Sequence, residues 1–181
     1  MFARTERLLL RPGWSQDAPA LFEAISDERI VRNLATAPWP YTLADAEAFL
    51  ATERRESEPS LLIFRRTEGA PELIGGIGFG LRPTGETEFG YWLVRAHWGR
   101  GYATEAGRAL LAAARHGLRV SRLDAGHFLD NPASGRVLEK LGFTPTGTIV
   151  PHYSAGRGEA APCRLFKLEW EAEGERVAMA A

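Results

Sequence analysis

The alternation of apolar and polar residues marks one stretch of the chain most clearly. From Glu88 large apolar residues alternate with small or polar ones, which is typical of a half-buried strand. A turn with Gly99 and Gly101 follows, and from Thr104 onward apolar positions recur at helical spacing. These positions are Gly107, Leu110, Leu111, Ala114 and Leu118. The stretch therefore predicts a strand, a glycine loop and a helix.

The same patterns predict further elements on both sides of this unit. Strands are predicted at Arg7–Pro12, Leu61–Arg65, Leu73–Leu81, Leu123–Leu129, Phe143–Val150 and Cys163–Trp170. Helices are predicted at Ala18–Ile25, after the cap Thr42, at Thr104–His116 and from Asn131 to the stop at Gly142. The segment Pro151–Pro162 is predicted to be a long loop and 171–181 a frayed tail. We find no domain boundary, so one domain of α/β or α+β class is expected.

The glycine loop before the helix favours an anion. Backbone N–H groups of a first helical turn lack partners inside the helix, and the helix dipole places partial positive charge there. Glycines let a phosphate approach those donors, although simple chain reversal is the alternative. A nucleoside-triphosphate loop is excluded because its length and its lysine are missing. A dinucleotide fingerprint is disfavoured because Thr104 occupies the position of its third glycine.

The loop Trp98-Gly99-Arg100-Gly101-Tyr102-Ala103 resembles the pyrophosphate loop of the GNAT superfamily of acetyl-CoA-dependent N-acetyltransferases. Trp98 departs from the Gln or Arg that usually begins this motif. Three segments resemble the RimJ/RimL branch, which is named for ribosomal-protein N-terminal acetyltransferases. They are Tyr91-Trp92-Leu93, Asn131–Ser134 and Leu138–Phe143. The resemblance extends from about Arg7 to Trp170. It implies an α/β (mixed α+β) GNAT fold, a strongly twisted mixed sheet of about seven strands with about four helices on both faces.

The resemblance also implies residues that bind acetyl-CoA, the co-substrate. Main-chain N–H groups of the loop would hold the pyrophosphate: Gly99, Arg100, Gly101, Tyr102, Ala103 and Thr104. Main-chain groups of Trp92, Leu93 and Val94 would bind the pantetheine arm and polarise the thioester. Arg100 and Arg136 could pair with the remaining phosphates, or they are solvated surface charges. Asn131 could cap its helix and lie beside the pantetheine.

Two residues are candidates for proton transfer. Glu88 matches the general base of related acetyltransferases, with an exposed glutamate at a strand end as the alternative. Many GNAT enzymes protonate the leaving thiolate with a tyrosine, but Leu138 occupies that position here. In the RimL branch a serine three residues after the asparagine is thought to serve instead, and Ser134 fits this pattern. A helix-surface serine is its alternative.

The acceptor side is predicted from aromatic and histidine residues outside regular elements. Trp39 and Tyr41 would contact the acceptor, or they pack against the following helix as a hydrophobic staple. His152 and Tyr153 would contact it from the predicted long loop. His97 is expected to be a solvent-facing turn residue. Cys163 is expected to be a strand residue without an activating partner, and no metal-ligand spacing is present.

Composition narrows the class of protein. The 181 residues, with 45% hydrophobic and 25% charged side chains, suit a soluble globular domain. The net charge of −1 favours neither nucleic acid nor a membrane as partner. One cysteine and no signal-like or membrane-spanning segment predict a cytoplasmic protein.

The resemblance implies direct acetyl transfer in a ternary complex to a primary amine, such as a protein N-terminus. A small amine as acceptor, a non-catalytic acyl-CoA-binding module and a homodimer remain open.

Overall fold

The computed structural model describes residues 1–82 and 85–170 of the chain. The strands are β1 Ala3–Arg4, β2 Leu8–Pro12, β3 Ser60–Arg65, β4 Glu72–Leu81, β5 Thr87–Leu93, β6 Arg122–Phe128, β7 Thr144–Ser154 and β8 Glu159–Glu169. The helices are α1 Ala18–Ile25, α2 Glu28–Val31, α3 Leu43–Ala51, α4 Tyr102–His116 and α5 Pro132–Lys140. The predicted frayed tail 171–181 lies outside the described residues.

One mixed sheet contains all of these strands, in the order β1-β2-β3-β4-β5-β6-β8-β7. Neighbouring strands are antiparallel except β5 and β6, which are parallel. The predicted mixed α/β fold class is therefore confirmed. The described chain has eight strands and five helices, where about seven and four were predicted. The elements missed, β1 and α2, span two and four residues, which is too short for a periodic pattern to register.

The helices cover the two faces of the sheet and enclose two apolar clusters. One cluster joins α4 and α5 to residues such as Phe89 and Leu93 of β5. The other joins α1, α2 and α3 to β3, with Trp92 of β5 packed against it. Successive β5 side chains thus point to opposite faces, as the alternation in the sequence predicts.

The last two strands differ from the prediction. The prediction of a long loop at Pro151–Pro162 is wrong, because these two prolines face each other across the β7–β8 hairpin. Only residues 155–158 connect the strands. Pro151 is tolerated because β7 is the edge strand of the sheet, where an N–H on the outer side needs no partner strand. Pro162 lies just before Cys163, where the pairing of β8 with β6 begins. His152 and Tyr153 consequently lie on a strand.

A gap between β5 and β6 locates the site within this fold. The two strands pair only at Glu88 with Asp124 and at Phe89 with Ala125. Beyond these pairs β5 continues to Leu93, and β6 continues beside β8 to Phe128. The strands therefore part at their carboxyl ends. The helices that follow them, α4 and α5, begin beside this opening.

Candidate active site

The glycine loop leads directly into α4. Gly99 and Gly101 have φ values of 72° and 81°, a left-handed conformation that side chains disfavour. Gly101 is the N-cap, and no described side chain caps this end of the helix. A Cβ built on Gly99 would meet no atom within 4 Å. The loop therefore offers open backbone donors at the positive end of a helix of 15 residues, the arrangement that binds phosphate. The helix begins at Tyr102, two residues before the predicted Thr104.

Arg7, which the sequence analysis did not single out, fixes the loop from beneath. Its Nε donates to Glu105 Oε2 at 2.7 Å, and its Nη1 donates to the Arg100 carbonyl at 3.1 Å. Its guanidinium also lies over the Tyr102 ring, 4.5 Å from the centroid. Burial raises the pKa of Glu105, but hydrogen bonds from Thr5 and Arg7 outweigh burial and leave this pKa below its usual value. Glu105 thus stays charged and keeps Arg7 in place.

The end of β5 is held by a contact that Trp98 supplies. Its indole Nε1 donates to the Leu93 carbonyl at 2.7 Å, although the residue remains 47% exposed. The N–H of Val94 donates to the Ile74 carbonyl of β4 at 2.8 Å. Since successive backbone groups of a strand point in opposite directions, the Leu93 N–H points away from β4, toward the opening. Of the main-chain groups predicted at Trp92–Val94, this one is the best placed for a ligand.

Ser134 lies at the start of α5, opposite β5. Asn131 caps this helix as predicted, and its Oδ1 accepts from the Ser134 N–H at 3.4 Å. The Tyr91 hydroxyl donates to Ser134 Oγ at 3.1 Å. Burial raises the pKa of Tyr91 above its usual value, and the Ser134 hydrogen bond offsets only part of this rise. Leu138 is buried in the core, while Arg136 and Arg100 are exposed.

Glu88 lies on the opposite face of β5, in a polar group with Arg82 and His152. The Arg82 Nε donates to Glu88 Oε2, and Arg82 Nη2 lies 3.2 Å from His152 Nε2. A guanidinium can only donate, so His152 Nε2 accepts and the proton of the neutral ring is on Nδ1. The structure thus brings together two predicted residues through a third that was not predicted.

The surroundings of this group keep His152 neutral. Burial lowers the pKa of His152, the Arg82 charge lowers it further, and Glu88 opposes both. Cys163 is a buried residue of β8, as expected. Burial and the Glu88 charge, partly offset by Arg82, raise the pKa of its thiol to about 11. Cys163 is therefore a protonated thiol at neutral pH.

The predicted acceptor residues differ in exposure. Tyr41 is buried with Ala46 in the α1–α3 cluster, and burial raises its pKa to about 12. This placement matches the hydrophobic-staple alternative. Trp39 and Tyr153 are 42% and 59% exposed, and contact of either residue with an acceptor remains a prediction. Tyr153 follows His152 on β7, so its side chain points to the face of that strand opposite His152.

The β7–β8 turn is fastened to the segment after α2. Ser154 Oγ donates to the Leu34 carbonyl at 2.8 Å, and the Ala155 N–H donates to the Ala35 carbonyl at 3.0 Å. The strand that carries His152 is thereby joined to the chain that leads to Trp39. Leu34 and Ala37 of that segment pack against the same cluster as Trp92, which lies on the face of β5 that carries Glu88.

One prediction near the loop is wrong, and three residues were missed. His97 is buried, with its Nε2 3.1 Å from Glu72 Oε1 and its ring against Tyr102. It is therefore not a solvent-facing turn residue. Tyr91 belongs to the segment Tyr91-Trp92-Leu93 that carries the resemblance, yet nothing in the sequence assigned it a function. Arg82 and Arg7 carried no local signal, because their partners are distant or lie across a turn.

Two absences apply to the described part of the chain. Residues 1–82 and 85–170 contain no cluster of three or more His, Cys, Asp or Glu side chains suited to a metal ion. Within the same residues, no helix has both the length and the apolar character required to cross a bilayer.

Comparison with known proteins identifies the family. A family model described as an acetyltransferase (GNAT) domain matches residues 7–144. The uncharacterized N-acetyltransferase YoaA of Bacillus subtilis (strain 168) is 31% identical over 152 residues, covering 80% of this chain and 84% of YoaA.

Solved structures agree with this assignment at the level of the fold. A GNAT-family acetyltransferase from Bacillus anthracis superposes with a TM-score of 0.76 at 24% identity, covering 93% of this chain and 98% of that one. RimL, a ribosomal L7/L12 alpha-N-protein acetyltransferase in complex with coenzyme A, gives a TM-score of 0.77 at 21% identity, covering 96% and 100%. The chain belongs to the GNAT family and is an acetyl-CoA-dependent acyltransferase.

Proposed function

We propose that this acyltransferase acetylates the N-terminal α-amine of a protein, as a member of the RimJ/RimL branch. The observation that carries the proposal is that Glu88 lies on one face of β5 and Ser134, on α5, faces the other. Both are beside the point where β5 and β6 part. A base on one face and an acid on the other suit acetyl transfer through the opening, from a donor on the α4–α5 side to an amine on the His152 side.

The donor side follows from the loop and the end of β5. Backbone N–H groups of Gly99–Thr104 would bind the pyrophosphate. The Leu93 N–H, which points toward the opening, would bind the pantetheine arm. Arg100 and Arg136 are exposed and would supply charge to the other phosphates. The bound co-substrate supplies a thioester as the activated acetyl group.

The acceptor amine must lose a proton before it can attack. Glu88 would take that proton through a water molecule, since a carboxylate is an acceptor at neutral pH. Arg82 fixes Glu88 Oε2 and leaves Oε1 to face the acceptor. His152, held neutral by burial and by Arg82, adds no positive charge that would repel an ammonium group. On the other face Ser134 would give a proton to the sulfur that leaves.

The choice of a protein N-terminus as acceptor rests on an exposed aromatic residue among those predicted to contact the acceptor. Trp39 lies at the surface with 42% of its area exposed, and aromatic side chains are enriched where proteins bind one another. The structural likeness to RimL points the same way. A small amine is the competing acceptor, and an assay of thiol release from acetyl-CoA tests both kinds of acceptor.

Two measurements test the proposal in sequence. Thermal unfolding with acetyl-CoA at 100 times its dissociation constant should gain about 2.7 kcal/mol of stability, while NAD, as control, should give no shift. Thiol release from acetyl-CoA should then be faster with peptides that have a free N-terminus than with N-blocked peptides, amino acids or polyamines. Faster release with the small amines would overturn the choice of acceptor, and binding without any release would indicate a non-catalytic module.

Two variants test the assigned roles. Glu88→Gln should lower turnover at neutral pH by about 10²–10⁴-fold, the usual value of a general base. Ser134→Ala should lower kcat with little change in the affinity for acetyl-CoA. Full turnover of Glu88→Gln would remove its role as base, and a loss limited to acetyl-CoA binding would make Ser134 a structural residue.

A further inference from the structure

Tyr91 is placed beside the opening and behind Ser134. It lies on β5 two residues beyond Phe89, the last residue of that strand to pair with β6. Its side chain packs against the cluster of α4 and α5, on the face opposite Glu88. Its hydroxyl donates to Ser134 Oγ at 3.1 Å. That proton is thereby committed to Ser134, and the proton of Ser134 is free to point toward another acceptor.

A serine hydroxyl alone is a poor source for a thiolate. An alcohol is a weaker acid than a thiol, whose pKa in cysteine is about 8.5, so a serine that gives up its proton is left with costly negative charge. A phenol has an ordinary pKa of 10.0, much closer to that of a thiol. A phenol that donates to the serine oxygen can therefore take over this charge.

The surroundings keep Tyr91 protonated until negative charge develops at the sulfur. Burial raises the pKa of the phenol, and the hydrogen bond with Ser134 lowers it by less. Tyr91 is therefore protonated at neutral pH. Asn131 fixes the other end of the arrangement, since its side chain caps the helix turn that carries Ser134.

We propose that Tyr91 acts through Ser134, as the positioning residue that supplies the proton given to the leaving CoA sulfur. Ser134 Oγ releases its proton to the sulfur, where an S–H bond forms, and takes the proton of Tyr91 as that O–H bond breaks. The negative charge passes from sulfur to the phenolate. Water returns a proton to Tyr91 once the thiol has left. This inference rests on the proposed role of Ser134.

Binding of CoA and desulfo-CoA tests the inference without an acceptor. Donors aimed at the sulfur favour the thiolate, so the affinity of the wild-type protein for CoA should rise as the pH passes through the thiol pKa. Desulfo-CoA lacks the thiol and should show no such rise, which controls for titration of the protein itself. Calorimetry on the wild type, Tyr91→Phe, Ser134→Ala and the double variant would measure both ligands.

The gain in CoA affinity at alkaline pH should be about tenfold smaller in Ser134→Ala than in the wild type. In Tyr91→Phe it should be about threefold to tenfold smaller. The double variant should lose no more than Ser134→Ala, because Tyr91 acts only through that hydroxyl. An unchanged alkaline gain in Tyr91→Phe, beside a loss in Ser134→Ala, would overturn the inference and leave the proposed function intact. A full gain in Ser134→Ala would overturn both.

The effect on kcat gives a second readout with the fastest peptide from the thiol-release assay. Tyr91→Phe should lower kcat with an unchanged KM for acetyl-CoA, and it should have no further effect in the Ser134→Ala background. Additive losses would overturn the inference. If Tyr91→Phe does not melt cooperatively, carbon NMR of labelled tyrosine can follow Tyr91 in Ser134→Ala. Its pKa should rise when the hydrogen bond is lost, and an unmoved pKa would equally refute the coupling.

Discussion

Gly99→Ala tests whether the left-handed loop is the phosphate site. Gly99 has φ of 72°, and an added Cβ would meet no protein atom within 4 Å, so no clash contributes to the effect. The left-handed conformation costs a non-glycine residue about 1–2 kcal/mol. Alanine also lowers the entropy of the unfolded chain, which returns about 0.4–1 kcal/mol. The net loss is about 1 kcal/mol, or about 2–4 °C in Tm for a chain of this length.

Binding should suffer more than stability. Alanine favours negative φ, so the loop would turn its N–H groups away from the phosphate position for part of the time. Losing one hydrogen bond to a charged group costs about 1.5–3 kcal/mol, which raises Kd for acetyl-CoA at least about tenfold. Thermal unfolding measures the first effect and isothermal calorimetry the second.

Gly147→Ala is the matched control. Gly147 has φ of 83° and equally open surroundings, but it lies in β7 at the edge of the sheet. It should lose the same stability and keep wild-type affinity for acetyl-CoA. If Gly99→Ala also bound acetyl-CoA normally, the loop would not be the phosphate site. If both variants bound weakly, global strain rather than the loop geometry would be responsible.

Three further outcomes follow from the charged groups. Asp17→Asn should cost about 3 kcal/mol in urea unfolding, because Arg11 would lose its two 2.7 Å bonds in a pair whose side chains are 12% and 10% exposed. The Arg11 bond lowers the pKa of Asp17, so this deficit should be full above pH 3.8 and shrink below it. The pKa of His152 is lowered in the folded protein, so as the pH falls the unfolded chain binds a proton at this residue before the folded chain does. That contribution to stability is complete above pH 6.5 and is lost as the pH falls through the folded value, a dependence that His152→Gln should remove in pH-resolved melts. Arg82→Gln should lower kcat with little change in the affinity for acetyl-CoA, because Glu88 would lose the donor that orients its carboxylate. An unchanged kcat would show that turnover does not depend on this orientation of Glu88.

The sequence by itself determined the elements that local patterns encode. Strand, glycine loop and helix around Gly99 and Gly101 follow from periodicity and from the need for positive φ. The caps Thr42 and Asn131 also follow locally, because each binds an N–H three residues away. The opposite faces of Glu88 and Tyr91 follow from strand alternation. All of these depend on residues close together in the chain.

Only the tertiary structure decided which distant groups meet. The contact between Tyr91 and Ser134 spans 43 positions, and that between Arg82 and His152 spans 70. The parting of β5 from β6 also depends on strand pairing, which no local pattern records. The hairpin that replaced the expected loop at Pro151 shows the same limit, since its strands are set by cross-strand partners. Local sequence specifies backbone conformation and the faces of each element, whereas the chemistry of the site arises from packing between elements far apart in the chain.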